Sequence, residues 1–96
     1  MPAENFIAVS EFCFSHNIEY SFIRSLHETG LIELATIEES VFLDVNQLQQ
    51  VEQCIRFYYD LDINMEGIET ITHLLHRIDS MQNEIISLRN RLSLYE

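Results

Sequence analysis

The chain has 96 residues, enough for one small domain with a projecting element. Apolar residues make up 47% of it, which excludes wholesale disorder because disorder requires low hydrophobicity. Its net charge is −11 at pH 7, from 16 carboxylates and 5 arginines, with no lysine. Residues 70–96 sum to zero, so residues 1–69 carry the whole −11 and should repel phosphate and attract basic partners.

The sequence carries none of the usual signs of membrane insertion or export. No stretch approaches the ~18 consecutive apolar residues of a membrane span, and the first residues lack the parts of a signal peptide. Cys13 and Cys54 lie 41 positions apart and form neither a Cys-x-x-Cys pair nor a disulfide framework. We therefore expect a reduced, cytoplasmic protein with both thiols buried as small core hydrophobes.

The first third of the chain predicts a helix-turn-helix unit. After an apolar lead-in over 6–9, Ser10 is the expected N-cap of a short first helix. Asn17 tolerates the left-handed conformation of a tight turn, and a second helix is expected over Glu19–Thr29. Gly30 stands where a glycine typically ends a helix.

The middle of the chain predicts a small β-hairpin, or wing, followed by a third helix. Leu31–Ile37 and Val41–Leu43 have strand character and are separated by a polar break. The third helix should begin at Asp44, because Asp44 with Gln47 three residues later resembles a capping box. Its apolar residues recur at helical spacing as far as Tyr58.

The last 32 residues predict one long helix with a heptad repeat. Asn64 is its expected N-cap, and the helix should run over Met65–Tyr95. Two apolar sets repeat every seven positions: Ile71, Ile78, Ile85 and Leu92 at a, and Leu74, Met81, Leu88 and Tyr95 at d.

This heptad pattern favours a parallel two-stranded coiled coil and hence a homodimer. Glu84 with Arg89 and Arg91 with Glu96 would pair between the two helices. We expect the turns before about Ile78 to pack on their own domain. The residues expected at the dimer contact are Ile78, Met81, Ile85, Leu88, Leu92 and Tyr95. The sequence thus divides into a winged helix-turn-helix over 1–64 and a C-terminal helix over 65–96.

No pattern of residues indicates catalysis, a metal site or a cofactor. There is no glycine-rich phosphate loop and no nucleophile signature. His73 and His76 share a helix face with Glu69, but a metal would need further ligands that the pattern does not supply. We expect a protein that is not an enzyme and that holds neither metal nor cofactor.

A helix-turn-helix with a wing is an architecture that reads DNA, so DNA binding has to be weighed. Proteins that hold duplex DNA make about 6–10 phosphate contacts, largely through lysine and arginine. Only Arg24 and Arg56 lie outside the C-terminal helix, among 13 carboxylates in residues 1–69. The charges therefore argue against DNA binding even though the architecture suits it.

The order and spacing of several short segments resemble MerR-type winged helices, and more closely the CbpM-type chaperone modulators. The resemblance covers roughly residues 6–94. Its segments are Glu11-Phe12-Cys13, Gly30-Leu31-Ile32-Glu33, Val41-Phe42, the run from Asp60 to Ile68, Leu74-Leu75-His76-Arg77-Ile78 and Leu88-Arg89-Asn90-Arg91-Leu92. Two positions differ from the family pattern: Val41 stands where tryptophan is frequent, and Phe57-Tyr58-Tyr59 replaces a more basic helix end.

The resemblance implies a protein that binds the J-domain of a DnaJ-like co-chaperone by covering its basic helix, which otherwise docks on a DnaK-type chaperone. From charge density we select two acidic clusters as candidates for this contact. They are Glu28, Glu33, Glu38 and Glu39 on the wing side, and Asp60, Asp62, Glu66 and Glu69 before and within the last helix. Tyr20, Tyr58 and Tyr59 are candidate aromatic anchors. Two alternatives stay open: a MerR-like transcription factor and a plain oligomerising adaptor.

Overall fold

The computed structural model describes residues 5–95, and the chain is mostly helical with one small sheet. The elements are β1 (Phe6–Ala8), α1 (Val9–His16), α2 (Tyr20–Glu28), β2 (Leu34–Ile37), β3 (Ser40–Asp44), a 3-10 turn (Val45–Gln47), α3 (Leu48–Ile55), a π-helical segment (Arg56–Asp60) and α4 (Met65–Ser93). No helix within the described residues is both long enough and apolar enough to cross a membrane.

The helix-turn-helix is confirmed, and its turn is built as predicted. Asn17 ends α1 in the left-handed conformation with φ of 56°, and its backbone N–H donates to the carbonyl of Phe14 at 3.3 Å. Gly30 follows α2 with φ of 84°, a conformation that glycine adopts without a steric penalty. The turn at Asn17 lets α1 pack against α2, and Gly30 redirects the chain from α2 towards the wing.

The predicted N-cap of α1 was wrong. Ala8 flanks the helix without a side-chain cap, and Ser10 lies inside α1 with its side chain exposed. The reason is that the lead-in is a strand, which we had not predicted. β1 pairs with β3, placing Ala8 opposite Phe42, and passes into α1 without a loop, so the helix begins before Ser10.

The sheet has three antiparallel strands in the order β1-β3-β2, rather than the two of the predicted hairpin. The wing consists of β2, β3 and the turn between them, and β2 begins at Leu34 instead of Leu31. Its register places Leu34 opposite Leu43 and Ile37 opposite Ser40. Leu43 is fully buried in this register, and a shift of one residue would turn its side chain to the other face of the sheet.

The predicted capping box was also wrong. The side chain of Asp44 does cap the chain, accepting the N–H of Asn46 at 2.8 Å, but it starts a 3-10 turn. Gln47 reaches across to the wing, where its amide accepts the N–H of Glu33 at 2.7 Å and donates to its carbonyl at 2.8 Å. Both backbone groups at the base of the wing are thereby satisfied, so Gln47 links the wing to the start of α3.

The third helix is three consecutive segments rather than one: the 3-10 turn, α3 and the π-helical segment. One hydrophobic cluster joins α1, α2, β3, α3 and the start of α4. Its buried residues are Val9, Phe12, Cys13, Phe22, Ile23, Leu26, Ile32, Leu43, Val51, Cys54 and Ile68. The predicted apolar face of α2 is confirmed, whereas in the third helix Val51 is buried, Leu48 and Ile55 are partly buried, and Val45 and Tyr58 are exposed.

Asn64 caps α4 as predicted, accepting the N–H of Gly67 at 2.8 Å. The contact of α4 with its own domain is shorter than expected. Ile68 and Thr72 are buried, whereas every residue from His73 to Tyr95 is exposed. The residues of α4 that are buried against its own domain are therefore Ile68 and Thr72, one helical turn apart, and neither is a heptad position. Burial of α4 ends at Thr72 instead of about Ile78.

Candidate protein-interaction surface

The wing ends in a two-residue turn made of two glutamates. Ile37 and Ser40 close the ladder, which leaves Glu38 and Glu39 as the only residues between the strands. Both have positive φ, 51° and 68°, as a type I′ hairpin turn requires. Such turns normally carry Asn-Gly, because a side chain in this conformation costs roughly 1–2 kcal/mol per residue. Both carboxylates are exposed at the end of the wing; we call these two residues the wing turn.

The four wing-side candidates do not form one cluster. Glu33 precedes β2 and the wing turn follows it, so about 16 Å of strand separates them at ~3.3 Å per residue. Glu28 ends α2, close in sequence to Glu33 and away from the wing turn. All four side chains are exposed. The structure therefore separates Glu33, at the base of the wing, from the wing turn at its end.

The second candidate set lies on the connection into α4. Asp60 ends the π-helical segment, and Asp62 has a positive φ of 60° in the loop that follows. Glu66 stands in the first turn of α4, where a carboxylate is favoured by the helix dipole, and Glu69 follows one turn later. Glu69 is half-buried and the other three are exposed. We call these four residues the loop cluster.

Tyr58 and Tyr59, two of the candidate aromatic anchors, lie just before the loop cluster in the chain and form an aromatic group with Phe22. The rings of Tyr58 and Tyr59 lie 4.9 Å and 5.4 Å from the ring of buried Phe22, and 5.0 Å from each other. Consecutive residues reach one partner here because the π-helical segment turns less per residue than an α-helix. Both tyrosines remain exposed at about two-fifths of their surface, 40% and 44%.

The exposed face of α2 is poor in cations. Its exposed residues are Tyr20, Ser21, Arg24, His27 and Glu28. In a helix-turn-helix this second helix is the one that enters the major groove. Arg24 is its one arginine, and the chain has no lysine. The exposed face of α2, which would meet DNA phosphates, therefore carries a single permanent positive charge.

Nearly all carboxylates on the described surface lack a partner of opposite charge. Within residues 5–95 the one ion pair joins His16 Nε2 to Glu52 at 3.3 Å, and it is charged only when the histidine is protonated. The wing turn and the loop cluster have none. Their negative potential is therefore uncompensated and extends into solvent over about one Debye length, ~8 Å at physiological salt.

The family profile described as MerR HTH family regulatory protein matches residues 7–90 of the chain.

The chain belongs to the MerR helix-turn-helix family.

Comparisons with curated proteins and with solved structures gave no match. The match covers α1, α2, the wing, α3 and most of α4 of this MerR-family chain. Its described surface is acidic, and the wing of this MerR-family domain ends in two glutamates.

The long helix α4 of this MerR-family chain presents an uncovered apolar stripe. The predicted dimer residues are about half exposed or more: Ile78, Met81, Ile85, Leu88, Leu92 and Tyr95. From His73 to Ser93 the helix extends roughly 32 Å at 1.5 Å per residue, and Tyr95 lies just beyond its end. Glu84 and Arg89 flank this stripe, whereas Glu96 of the second predicted pair lies outside the described residues.

The chain shows no assembled metal site and no reactive thiol within residues 5–95. No three side chains among histidine, cysteine, aspartate and glutamate gather closely enough there to hold an ion. Cys13 and Cys54 are free and buried. Burial raises the pKa of Cys13, and it raises the pKa of Cys54 to about 11. Both thiols therefore stay protonated at neutral pH and act as small apolar core groups.

Proposed function

We propose that this MerR-family chain is a non-enzymatic modulator that binds, and inhibits, the J-domain of a DnaJ-like co-chaperone by covering its basic helix. The observation that carries the proposal is the pair of glutamates at the end of the wing. A wing used on DNA would lie against phosphates, and two carboxylates there would be repelled. The same carboxylates attract a helix rich in lysine and arginine.

Electrostatics would act on this complex mainly through association. Uncompensated negative charge on the wing turn and the loop cluster would steer a basic partner and raise its association rate. It would also suppress binding to nucleic acids, because like charges across an interface are costly. The affinity itself would come from apolar and aromatic side chains buried on contact.

The experiment that tests this function measures inhibition as well as binding. The chain is added in increasing amounts to a DnaK-type chaperone whose ATPase is stimulated by a DnaJ-like co-chaperone of the same organism. We expect stimulation to fall saturably, and to recover when more co-chaperone is added, because the chain and the chaperone would compete for one helix. Unchanged stimulation at a large molar excess of the chain would contradict the proposal.

A second candidate function is DNA-binding transcriptional regulation, and the observation that favours it is family membership. Its prediction differs in kind. A regulator would bind a duplex with an affinity that falls steeply with salt, by a slope of about −0.9 per phosphate contacted. An electrophoretic shift assay on duplex fragments over a range of salt distinguishes the two functions.

We also propose that the chain works in the cytoplasm as a homodimer held by α4. The support is the uncovered heptad stripe, because such a stripe typically packs against a partner helix. Two free, buried cysteines suit a reducing compartment. A plain adaptor would dimerise in the same way but bind neither the co-chaperone nor DNA, so the assays above separate it from both functions.

A further inference from the structure

An open groove of about 410 Å³ lies between the sheet and the start of both helices of the helix-turn-helix. It begins beside the wing turn, because Ser40 directly follows Glu39. Its lining residues are Ala8, Val9, Ser10, Cys13, Tyr20, Ser40, Val41 and Phe42. The pairing of Ala8 with Phe42 holds β1 and β3 together along its floor.

The lining of this groove is apolar and partly open to solvent. Val9 and Cys13 are buried beneath it, whereas Val41 and Phe42 are half-buried. Tyr20 stands at the first turn of α2 with 45% of its surface exposed. An amphipathic helix could bury apolar side chains here and gain ~25 cal/mol for each Å² removed from water.

Four glutamates lie close in the chain to the lining residues of this groove, and we call these four its acidic rim. Three lining residues have a glutamate as their neighbour in the chain: Glu11 follows Ser10, Glu19 precedes Tyr20, and Glu39 precedes Ser40. Glu38 completes the wing turn. These four are exposed and form no ion pair within residues 5–95. The opposing charge is Arg24, one helical turn beyond Tyr20, so the rim is net negative.

The conformation of the wing turn adds a reason to assign it a role. Neither Glu38 nor Glu39 makes a side-chain hydrogen bond in the described chain, so neither stabilises the turn that its own backbone strains. Asparagine and glycine would fit the same φ angles better. Residues held in unfavourable backbone conformations occur preferentially at functional sites.

We propose that the groove together with its acidic rim is the docking surface for a basic amphipathic helix, whose apolar side chains enter the groove while its lysines and arginines meet the wing turn and Glu19. This inference rests on the proposed function, since the helix would be that of the J-domain. It assigns the contact to the wing turn rather than to the loop cluster. Charge complementarity selects the occupant, because a rim of four carboxylates favours a cationic partner.

The test compares two double variants of the full chain that each remove two carboxylates and each place a glycine at a position of positive φ. Glu38→Asn with Glu39→Gly removes two carboxylates and places residues suited to positive φ in the wing turn. Asp60→Asn with Asp62→Gly removes two carboxylates from the loop cluster and also relieves a positive φ, so it is the matched control. Each variant is titrated calorimetrically with the full-length DnaJ-like co-chaperone at fixed salt.

We expect the wing-turn variant to bind at least about tenfold more weakly than the wild type, and the control to stay within about threefold. Ser10→Arg serves as a second variant, because Ser10 is exposed and lines the groove, and we expect a comparable loss. If the wild type binds but the wing-turn and Ser10 variants bind equally well, the docking surface is overturned while the proposed function stands. If the wild type does not bind, both are overturned.

Discussion

Replacing Glu38-Glu39 with Asn-Gly should make the protein more stable, because it relieves strain in the backbone of the wing turn. Both residues hold positive φ, at 51° and 68°, in the two-residue turn between Ile37 and Ser40. A side chain in this left-handed region costs roughly 1–2 kcal/mol per residue, and asparagine and glycine avoid most of this cost. The variant should also lose the repulsion between adjacent carboxylates.

The gain is partly offset in the unfolded state. Glycine at position 39 has more conformations to lose on folding, which costs about 0.4–1 kcal/mol. The net increase in the free energy of unfolding should therefore be about 1–2 kcal/mol for the pair. For a domain of this size each kcal/mol raises the melting temperature by roughly 4–8 °C, so a rise of about 5–15 °C is expected.

Urea denaturation followed by circular dichroism, at one fixed protein concentration, measures this change. The fixed concentration matters because self-association would shift apparent stability by mass action. Glu38→Gln with Glu39→Gln is the control, because it removes the charges but keeps a side chain at each positive φ. It should recover only a small part of the gain. A wing-turn variant no more stable than the wild type would refute the argument from backbone strain.

Three further predictions concern the rest of the molecule. Asn64→Ala should lower the free energy of unfolding by about 1 kcal/mol in urea, because its Oδ1 accepts the Gly67 N–H at 2.8 Å; Asn64→Asp should retain the cap, and equal losses in both would argue against it. Ile85→Asp should yield monomers in sedimentation experiments, because Ile85 is a heptad a position. Ile86→Asp should not, because the neighbouring Ile86 is exposed to a similar degree but occupies neither an a nor a d position. Identical behaviour of the two variants would exclude the apolar stripe as the dimer contact. Burial raises the pKa of Cys54 from 9.0 to about 11 in the folded state. The stabilisation from the protonated thiol should therefore be complete below pH 9 and be lost as the pH rises towards 11. Cys54→Ala should make the free energy of unfolding fall less steeply over this pH range. If the free energy of unfolding of the variant fell with pH as steeply as that of the wild type, ionisation of Cys54 would not be the cause of the decline.

The helical spacing of apolar residues, together with the turn and cap residues, predicted the local features of this fold. Phe22, Ile23 and Leu26 recur at helical spacing, and they are buried in α2. Asn17 and Gly30 stand where the backbone takes positive φ, and Asn64 caps α4. Each of these features depends on residues within one or two turns of sequence, so the local pattern contains the needed information.

The features that the sequence did not predict depend on distant residues. β1 is three residues long and pairs with β3, some 36 positions away, so no local signal marks it as a strand. Gln47 was assigned to a local cap, but it bonds Glu33 across 14 positions. The spacing of the wing-side acidic candidates has a local cause, since Glu33 and the wing turn are close in sequence yet lie at opposite ends of β2.

The groove between the wing, α1 and α2 shows most clearly what sequence alone omits. Its lining comes from four separate elements, and Tyr20 was the one lining residue marked as a possible anchor. The glutamates of the wing turn were selected from charge density alone. Their positive φ, and hence the cost of keeping them there, became visible only with the backbone.

The central claim is that this MerR-family chain has an acidic surface for a basic J-domain helix rather than a surface for DNA. The most direct measurement titrates the chain calorimetrically with the DnaJ-like co-chaperone of the same organism, at low salt and at about 0.5 M salt, where screening shortens the range of charge interactions. Duplex DNA is titrated in parallel. Our account predicts saturable binding of the co-chaperone that weakens at high salt, and no binding of DNA. Binding of DNA without binding of the co-chaperone would contradict it.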